Sequence, residues 1–404
     1  MWFLLLKNNK RLIQHTIMNT QELVALCNQQ FNEKFGENPQ KIVLSPGRIN
    51  IIGEHIDYNH GFVLPAAIDK YICFAISKNN TQDCHIISLD LKDEYHFKIT
   101  DKIEPVSQNW VNYFLGVFNQ VQDKIDSGFN IVFSSTVPIG AGLSSSAALE
   151  CGFLYGLNYF FALGLDKRQI AKMGQKAEHT FAGVNCGIMD QFASVFGKEN
   201  NVIFLDCDTL DYQYAPADFG DYTLLLLNTN VKHNLQTSEY NNRRKECEAG
   251  ISIIKNKYLE VQNFREATME MVEDLKNEMG DVVYRRSRFV VGEISRIQEL
   301  VKSLKDNNFE NVGKLMTSTH YGLSKDYEVS CEELDFLVDN VLKEEGVLGA
   351  RVMGGGFGGC TINLLKKSEV EKIIEKLSKA YLEKFEIELT PYQVSVSEGT
   401  HFTD

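Results

Sequence analysis

The sequence is built around the segment Pro138-Ile-Gly-Ala-Gly-Leu-Ser-Ser-Ser-Ala-Ala-Leu-Glu150. Gly140 and Gly142 lack a Cβ, so the backbone can turn with φ > 0 and come close to a bulky ligand. The serines lead into an Ala- and Leu-rich run typical of a helix, whose first turn offers free NH groups and a positive dipole end to an anion. The segment therefore indicates phosphate binding or, alternatively, a serine that only caps a helix after a glycine turn.

A strand precedes this glycine segment and a helix follows it. Residues 129–137 read Phe-Asn-Ile-Val-Phe-Ser-Ser-Thr-Val, and their alternation and β-branched side chains predict a strand. Helices are predicted at 145–163 and 167–181. No Gly-Lys-Ser/Thr follows the glycines and they do not spell GxGxxG, so the Walker loop and the dinucleotide fingerprint are excluded.

Composition narrows the class of protein. A chain of 404 residues can form about two or three domains. The net charge of −13 opposes binding to nucleic acid or to an anionic membrane, so a bound anion would need local donors and a metal. The nine cysteines include no CxxC pair and indicate free thiols in a reducing compartment. We therefore expect a cytoplasmic protein.

The N-terminal residues predict an extension followed by a helix. Met1 to Leu6 are apolar, but this run is too short for a signal-peptide core or a membrane span. We expect Met18 to be the natural start and residues 1–19 to be disordered or a non-native extension. Residues 20–35 predict an amphipathic helix that Thr20 would cap.

The segment 46–61 combines charged side chains with core residues. Arg48, Glu54, His55 and Asp57 lie within ten residues, among isoleucines that would anchor the loop. Carboxylates and an imidazole can hydrogen-bond to vicinal hydroxyls, so the segment indicates a sugar site, the alternative being a solvated charged loop. The spacing of His55 and His60 does not resemble a zinc site.

Asp190 stands alone among apolar residues in Gly-Ile-Met-Asp-Gln-Phe, 187–192. A buried carboxylate is costly unless a cation pairs with it or it has a chemical task. We expect Arg48 to be its partner.

The second half of the chain is predicted to be rich in helices, with spans at 239–257, 263–279, 287–307, 309–323 and 331–343. Five of the six residues 354–359 are glycine. Such a backbone must be pressed against something, either a ligand or another segment of the chain.

Together these segments resemble the GHMP small-molecule kinases, and among them the galactokinase family. Residues 47–61 are similar to the galactokinase signature, 140–146 to the ATP loop and 354–359 to the third motif. Residues 228–240, with His233 and Ser238-Glu239-Tyr240, and residues 326–331 also match, so the resemblance extends from about residue 20 to the C-terminus. One departure is Met353, which stands where the family usually has threonine.

The resemblance implies an α+β fold with two GHMP kinase domains, mixed sheets with helices packed on them, and an active site in the interdomain cleft. Residues 20–215 would form the N-terminal domain and residues 216–404 the C-terminal domain. The implied reaction transfers the γ-phosphoryl group of ATP, with Mg²⁺, to the C1 hydroxyl of α-D-galactose. The implied products are galactose 1-phosphate and ADP, in galactose catabolism. We expect a monomer.

The resemblance also implies roles for individual residues. Asp190 would be the catalytic base and Arg48 the cation that keeps it ionised. The sugar would be bound by Glu54, His55, Ile56, Asp57, Gly187, Asp190 and Tyr240. The triphosphate would be held by Gly140, Ala141, Gly142, Leu143, Ser144, Ser145 and Ser146. Trp110 would lie near the adenine, and Mg²⁺ would be bound by Ser146 and Glu178.

Two other functions share these features. A sister sugar 1-kinase, such as one for N-acetylgalactosamine, would need room at the 2-position, which a sequence does not reveal. A non-catalytic galactose and ATP sensor could lose part of the serine run or the catalytic acid. Ser144, Ser145, Ser146, Ala147 and Asp190 are all present, which favours an enzyme.

Overall fold

The computed structural model describes residues 18–138, 140–231 and 236–403, and in 236–238 the backbone alone. The predictions for residues 1–17, for His233 and for the Ser238 side chain lie outside this part of the chain. The helices are α1 (Thr20–Phe35), α2 (Asn109–Phe118), α3 (Ser145–Phe160), α4 (Lys167–Ala177), α5 (Met189–Phe196), α6 (Gln236–Lys257), α7 (Met269–Asp274), α8 (Lys276–Lys305), α9 (Phe309–Tyr321), α10 (Glu332–Val341) and α11 (Val370–Phe385). The strands are β1 (Lys41–Asn50), β2 (Phe62–Val63), β3 (Pro65–Lys78), β4 (Asp83–Ser88), β5 (Asp93–Lys98), β6 (Phe129–Ser135), β7 (Asn201–Asp206), β8 (Tyr212–Pro216), β9 (Tyr222–Asn228), β10 (Val347–Val352), β11 (Cys360–Lys366), β12 (Thr390–Gln393) and β13 (His401–Phe402).

The largest sheet has the strand order β13-β1-β3-β6-β4-β5. It is mixed, because β4 and β6 run parallel while the other neighbours are antiparallel. The strand β13 comes from the far end of the chain and pairs with β1 through Val43 and Leu44. Thr400, just before β13, hydrogen-bonds Ser45 at 2.9 Å and the carbonyl of Ser194 at 3.0 Å. The C-terminal segment is thereby fastened to the N-terminal sheet.

Two smaller antiparallel sheets complete the architecture, with the orders β10-β11-β9-β12 and β2-β7-β8. The long helix α8 joins the two halves, since a Cβ added to Gly53 or Gly61 would lie 3.1 Å from Ile297 or Ile294 on that helix. The largest apolar cluster accordingly contains residues from both halves. No helix in the described ranges is long and apolar enough to cross a membrane.

The α+β class and the mixed sheet are confirmed, and several local predictions need correction. The predicted helix 20–35 coincides with α1, but Asn19 caps it in a capping box with Glu22, so Thr20 as the cap was wrong. The prediction of one helix over 263–279 was also wrong. In the structure the short helix α7 ends at Asp274, and the separate helix α8 begins at Lys276. The domain boundary predicted after residue 215 stays a prediction, and β13 lies beyond it in sequence.

Candidate active site

Arg48 and Asp190 form the centre of the candidate site. Arg48 lies on β1 and is 4% exposed, and Asp190 lies in the first turn of α5. The guanidinium donates from Nε to Oδ1 at 2.8 Å and from Nη2 to Oδ2 at 2.9 Å. This bidentate geometry fixes the carboxylate in one orientation. The predicted pairing is therefore present. The prediction of a loop at Arg48 was wrong, because strand β1 extends through this residue to Asn50.

The glycine loop reaches Asp190 through Ser144. Gly140 and Gly142 have φ values of 76° and 74°, and Ser144 itself has φ 59°. Ser144 stands at the N-cap position of α3, but within the described residues its side chain makes no capping hydrogen bond. Its hydroxyl instead donates to Asp190 Oδ2 at 2.5 Å. The first-turn NH groups of α3 are thus left without a side-chain cap, which favours anion binding over the simple capping alternative.

The same loop packs closely on β1. Arg48 N donates to Leu143 O at 3.1 Å, and Arg48 Nη1 donates to Gly142 O at 2.6 Å. A Cβ on Gly47 would lie 2.7 Å from Leu143 O, so only glycine permits this approach. One arginine therefore holds both the loop and the candidate base.

The glycines of residues 354–359 face the glycine loop at residues 140–146. A Cβ on Gly354 would lie 3.3 Å from Gly142 O, and one on Gly359 would lie 3.4 Å from Ala141 O. A Cβ on Gly356 would lie 2.1 Å from Val329 O. The sequence predicted that these glycines press against either a ligand or another segment of the chain. The structure shows contact with other segments of the chain. Met353 is 1% exposed beside it.

Glu54 is held by Arg351, a residue that the sequence analysis did not select. Arg351 is fully buried in β10 and donates from Nη2 to Glu54 Oε1 at 3.0 Å. Gly354 N donates to the same oxygen at 2.8 Å. Burial alone would raise the pKa of Glu54, but Arg351 and Arg48 outweigh it and lower that pKa. An arginine inside an otherwise apolar strand was the signal that could have revealed it.

His55 is locked among aromatic residues. It has φ 63°, Nδ1 lies 2.8 Å from the Tyr58 hydroxyl, and Nε2 lies 3.1 Å from Gly355 O. Its ring centroid is 5.1 Å from that of Tyr240. Burial lowers the pKa of His55 to about 4, so the imidazole is neutral at physiological pH. The neighbouring Ile56 is fully buried and packs into the core.

Asp57 and Gly187 meet at the edge of a polar cavity. A Cβ on Gly187 would lie 2.0 Å from Asp57 Cγ, so the carboxylate occupies the space that any other residue would need. The cavity has a volume of about 330 Å³ and is bordered by these two residues and by Gln175, His179 and Arg244. Burial and then the charge of Asp190 raise the pKa of Asp57 to about 7. The cavity offers polar partners at the scale of a small ligand.

Glu178 begins a π-helical turn over residues 178–182 that follows α4. Gln191 Nε2 donates to its Oε2 at 2.8 Å, and the nearby Ser146 hydroxyl acts to lower its pKa. Burial and the charge of Asp190 raise the pKa of Glu178 to about 7. Gln191 and the buried Glu150 behind it were not selected from the sequence, and an acid within the apolar run of α3 was the available signal.

Trp110 lies at the start of α2, beside the strand that leads into the glycine loop. Its indole nitrogen donates to Asp93 Oδ2 at 2.9 Å, and its ring centroid is 5.7 Å from that of Phe133 on β6. The structure thus places Trp110 against the sheet, near the strand that precedes the loop.

Three protein-family descriptions match separate parts of the chain. Residues 29–78 match the galactokinase galactose-binding signature, residues 112–198 the GHMP kinases N terminal domain, and residues 300–383 the GHMP kinases C terminal description. A galactokinase of Thermotoga neapolitana is 43% identical over 359 residues, which cover 88% of this chain and 98% of that protein. One of Clostridium perfringens is 40% identical over 375 residues, covering 91% and 97%.

Solved structures of related kinases also resemble this chain. Lactococcus lactis galactokinase complexed with galactose has a TM-score of 0.89 at 33% identity, covering 93% of this chain and 98% of that one. Methanococcus jannaschii mevalonate kinase has a TM-score of 0.63 at 19% identity over 88% and 98%, which indicates the shared fold alone. With three matching segments in order and relatives matched over nearly their whole length, the chain belongs to the galactokinase family of the GHMP kinases.

Proposed function

We propose that this protein transfers the γ-phosphoryl group of ATP to the C1 hydroxyl of α-D-galactose, giving galactose 1-phosphate and ADP. The observation that carries the proposal is the position of Asp190, which is held by Arg48 of the sugar motif and by Ser144 of the glycine loop. A carboxylate joined to both motifs can serve a sugar hydroxyl and a transferring phosphoryl group together. Galactose bound in the Lactococcus lactis relative supports the choice of sugar.

In the proposed reaction Asp190 accepts the proton of the C1 hydroxyl as that oxygen bonds to the γ-phosphorus and the bond to the β-phosphate oxygen breaks. Arg48 orients the carboxylate and offsets negative charge on the transferring group. Burial lowers the pKa of the guanidinium, but the charges of Asp190 and Glu54 outweigh that effect and raise it. Arg48 therefore stays charged throughout.

The sugar is proposed to bind beside the cavity bordered by Asp57 and Gly187, with Glu54, His55, Ile56 and Tyr240 completing the site. Glu54 and Asp57 supply acceptors for sugar hydroxyls. Neutral His55, fixed by its two ring contacts, is held in one orientation. Because Arg351 and Gly354 N both bind Glu54 Oε1, the sugar motif is also tied to the third glycine motif.

The nucleotide is proposed to bind at residues 140–146, with Trp110 near the adenine. Glu178 offers a carboxylate and Ser146 a hydroxyl close to it, and such oxygen ligands fit Mg²⁺, which usually adds phosphate oxygens and water. When bound, the ion would neutralise charge on the phosphates. Glu178 and Ser146 would hold it beside the loop.

The cytoplasm is the proposed compartment, since each of the nine cysteines is a free thiol, the state that a reducing environment maintains. We also propose that the protein acts as a monomer, which light scattering would test.

The experiment that tests the reaction is sugar-dependent ADP release from ATP and Mg²⁺, with galactose, N-acetylgalactosamine, glucose and arabinose. Asp190→Asn keeps the shape of the side chain but cannot accept the proton, so we expect turnover on galactose to fall by about 10²–10⁴-fold. Galactose affinity should change far less. The matched control is Asp211→Asn, an acid whose side chain is 77% exposed, and it should keep full activity.

Two results would contradict the proposal. Faster turnover on N-acetylgalactosamine than on galactose would make this a sister kinase. Saturable galactose binding without turnover on any sugar would make it a sensor.

A further inference from the structure

Resting on the proposed binding of Mg²⁺ at Ser146 and Glu178, we propose that Gln191 is a positioning residue that orients Glu178 towards the metal, with Glu150 fixing the amide from behind. Gln191 directly follows Asp190 in α5, so the helix that carries the candidate base also carries this support.

Gln191 connects two acidic side chains through a single nitrogen. Nε2 donates to Glu178 Oε2 at 2.8 Å and to Glu150 Oε2 at 3.1 Å. An amide NH₂ group has two hydrogens, so both are used and the amide plane cannot turn without losing one bond. Gln191 and Glu150 are both fully buried, which removes water as an alternative partner.

Glu150 is suited to accept a hydrogen bond from Gln191 without repelling the carboxylate of Glu178. Burial and the nearby Glu178 raise its pKa well above the ordinary range, which favours the neutral form. Within the described residues, Glu150 Oε1 and Gln191 Oε1 have no hydrogen-bond partner, so neither is engaged in a competing orientation. Gly174 on α4 allows this packing, because a Cβ there would lie 3.1 Å from Gln191 Cγ and 3.4 Å from Glu150 Cβ.

The segment that carries Glu178 departs from the α-helical hydrogen-bond pattern. Glu178 begins the π-helical turn after α4, a geometry that often occurs at functional sites. Its remaining neighbours are the Ser146 hydroxyl and the weakly donating thiol of Cys186, with Sγ 3.6 Å from Oε2. The amide of Gln191 is therefore the strong neutral donor that sets the direction of the carboxylate.

The test measures metal binding separately from turnover. Isothermal titration calorimetry gives the ADP affinity of the full chain with Mg²⁺ and with EDTA, and the ratio is the metal-dependent gain. Gln191→Met fills the same space without a donor. We expect it to reduce this gain by about 10–100-fold, as when a hydrogen-bond partner of a metal ligand is lost, with the metal-free ADP affinity unchanged.

Two further variants test the assignment. Glu150→Gln keeps a neutral acceptor and should retain the gain within about twofold, because an amide oxygen accepts as the neutral carboxyl does. The matched control is Gln120→Met, which removes amide bonds of 2.9 and 2.8 Å to Gly116 O and Met173 O on the neighbouring helices and should leave the gain unchanged. Gln191→Asn, whose amide is one methylene shorter, should reduce the gain even if the methionine variant does not fold.

Gln191 variants that fold and keep the full gain overturn the inference, even if their melting temperature falls. A wild-type protein that phosphorylates galactose but shows no gain from Mg²⁺ overturns both the metal site and the role of Gln191, while leaving the sugar kinase reaction intact. Absence of sugar phosphorylation alongside a normal gain in the wild type contradicts the proposed reaction alone.

Discussion

The hydroxyl of Ser144 donates to Asp190 Oδ2 over 2.5 Å, which joins the glycine loop directly to the candidate base. Ser144 adopts a left-handed backbone conformation at this point, with φ 59°, which is uncommon for a residue with a Cβ. The surrounding packing on Gly47 and Arg48 holds this conformation. The position of the carboxylate therefore depends on the position of the loop.

Ser144→Ala is expected to slow phosphorylation. The variant removes a hydrogen bond to a carboxylate, a contact of about 1.5–3 kcal/mol, so kcat should fall by about tenfold or more. The KM for galactose should stay near its wild-type value, because the other sugar contacts remain. Steady-state kinetics check this, with Ser252→Ala as the control, since that hydroxyl bonds to Glu248 O within its own helix α6. A variant with wild-type kcat would show that the bond has no role.

Asp57→Asn is expected to change how stability depends on pH. The pKa of Asp57 is raised from 3.8 to about 7, by burial first and then by Asp190. The folded state therefore binds this proton more tightly, and the resulting stability is complete below pH 3.8 and is lost as the pH rises to about 7. Relative to Asp57→Asn, the wild type should lose free energy of unfolding over this window, with an upper bound of about 4 kcal/mol. The loss should be smaller than this bound because solvent reaches the cavity.

Urea unfolding of the ligand-free protein at about pH 5 and about pH 8 measures the upper part of this window, in which at most about 3 kcal/mol should be lost. Asp211→Asn serves as an exposed control. A wild type that gains stability over the same window relative to Asp57→Asn would have the wrong sign for a raised pKa.

Gly187→Ala is expected to weaken sugar binding. The added methyl group would lie 2.0 Å from the Asp57 carboxylate, so one of the two must move. A displaced acceptor should raise the KM for galactose by about tenfold or more, since a lost hydrogen bond to a charged group costs about 1.5–3 kcal/mol. The control is Gly292→Ala on α8, where the nearest atom would be Met269 Cε at an ordinary 3.6 Å. Equal KM values for the two variants would argue against a sugar role for Asp57.

Arg351→Met is expected to destabilise the fold. Removing Arg351 leaves Glu54 buried without the arginine that hydrogen-bonds to it. Breaking a buried ion pair in this way typically costs about 3–5 kcal/mol, and the remaining charge of Arg48 places the expected loss in the free energy of unfolding at the lower end of that range. The double variant with Glu54→Gln should recover part of the loss, since no charge is then stranded. By contrast, Arg244→Met breaks a pair with Glu248, whose side chain is 63% exposed, and should cost about 1 kcal/mol or less. Equal costs would contradict this account.

Features with a local cause were predictable from the sequence. The apolar spacing of residues 20–35 predicts α1 correctly because a helix needs only its own hydrogen bonds and one buried face. The pairing of Asp190 with Arg48 followed from the cost of an isolated buried charge. The helix α5 was not predicted, because its eight residues are fewer than the window over which a helical period is recognised. Its role depends on tertiary packing.

Features with a distant cause were not predictable from composition or spacing. Five glycines in residues 354–359 indicated a close contact, yet no local rule identifies Ala141, Gly142 and Val329 as the segments contacted. Arg351 and Gln191 are chemically unusual for buried positions, but their partners Glu54 and Glu178 lie 297 and 13 residues away in the sequence. The two-residue strand β13 carries no periodic signal at all.

That short strand also bears on the order in which the protein is made. During synthesis the ribosome releases β1, β3 and β6 long before residues 401–402 exist, so the edge of β1 at Val43 and Leu44 stays unpaired while the C-terminal half is being translated. Thr400, which links Ser45 to the helix carrying Asp190, arrives equally late. Although domains commonly fold one after another as they emerge, the N-terminal half of this chain acquires its last strand only after the C-terminal half has been translated.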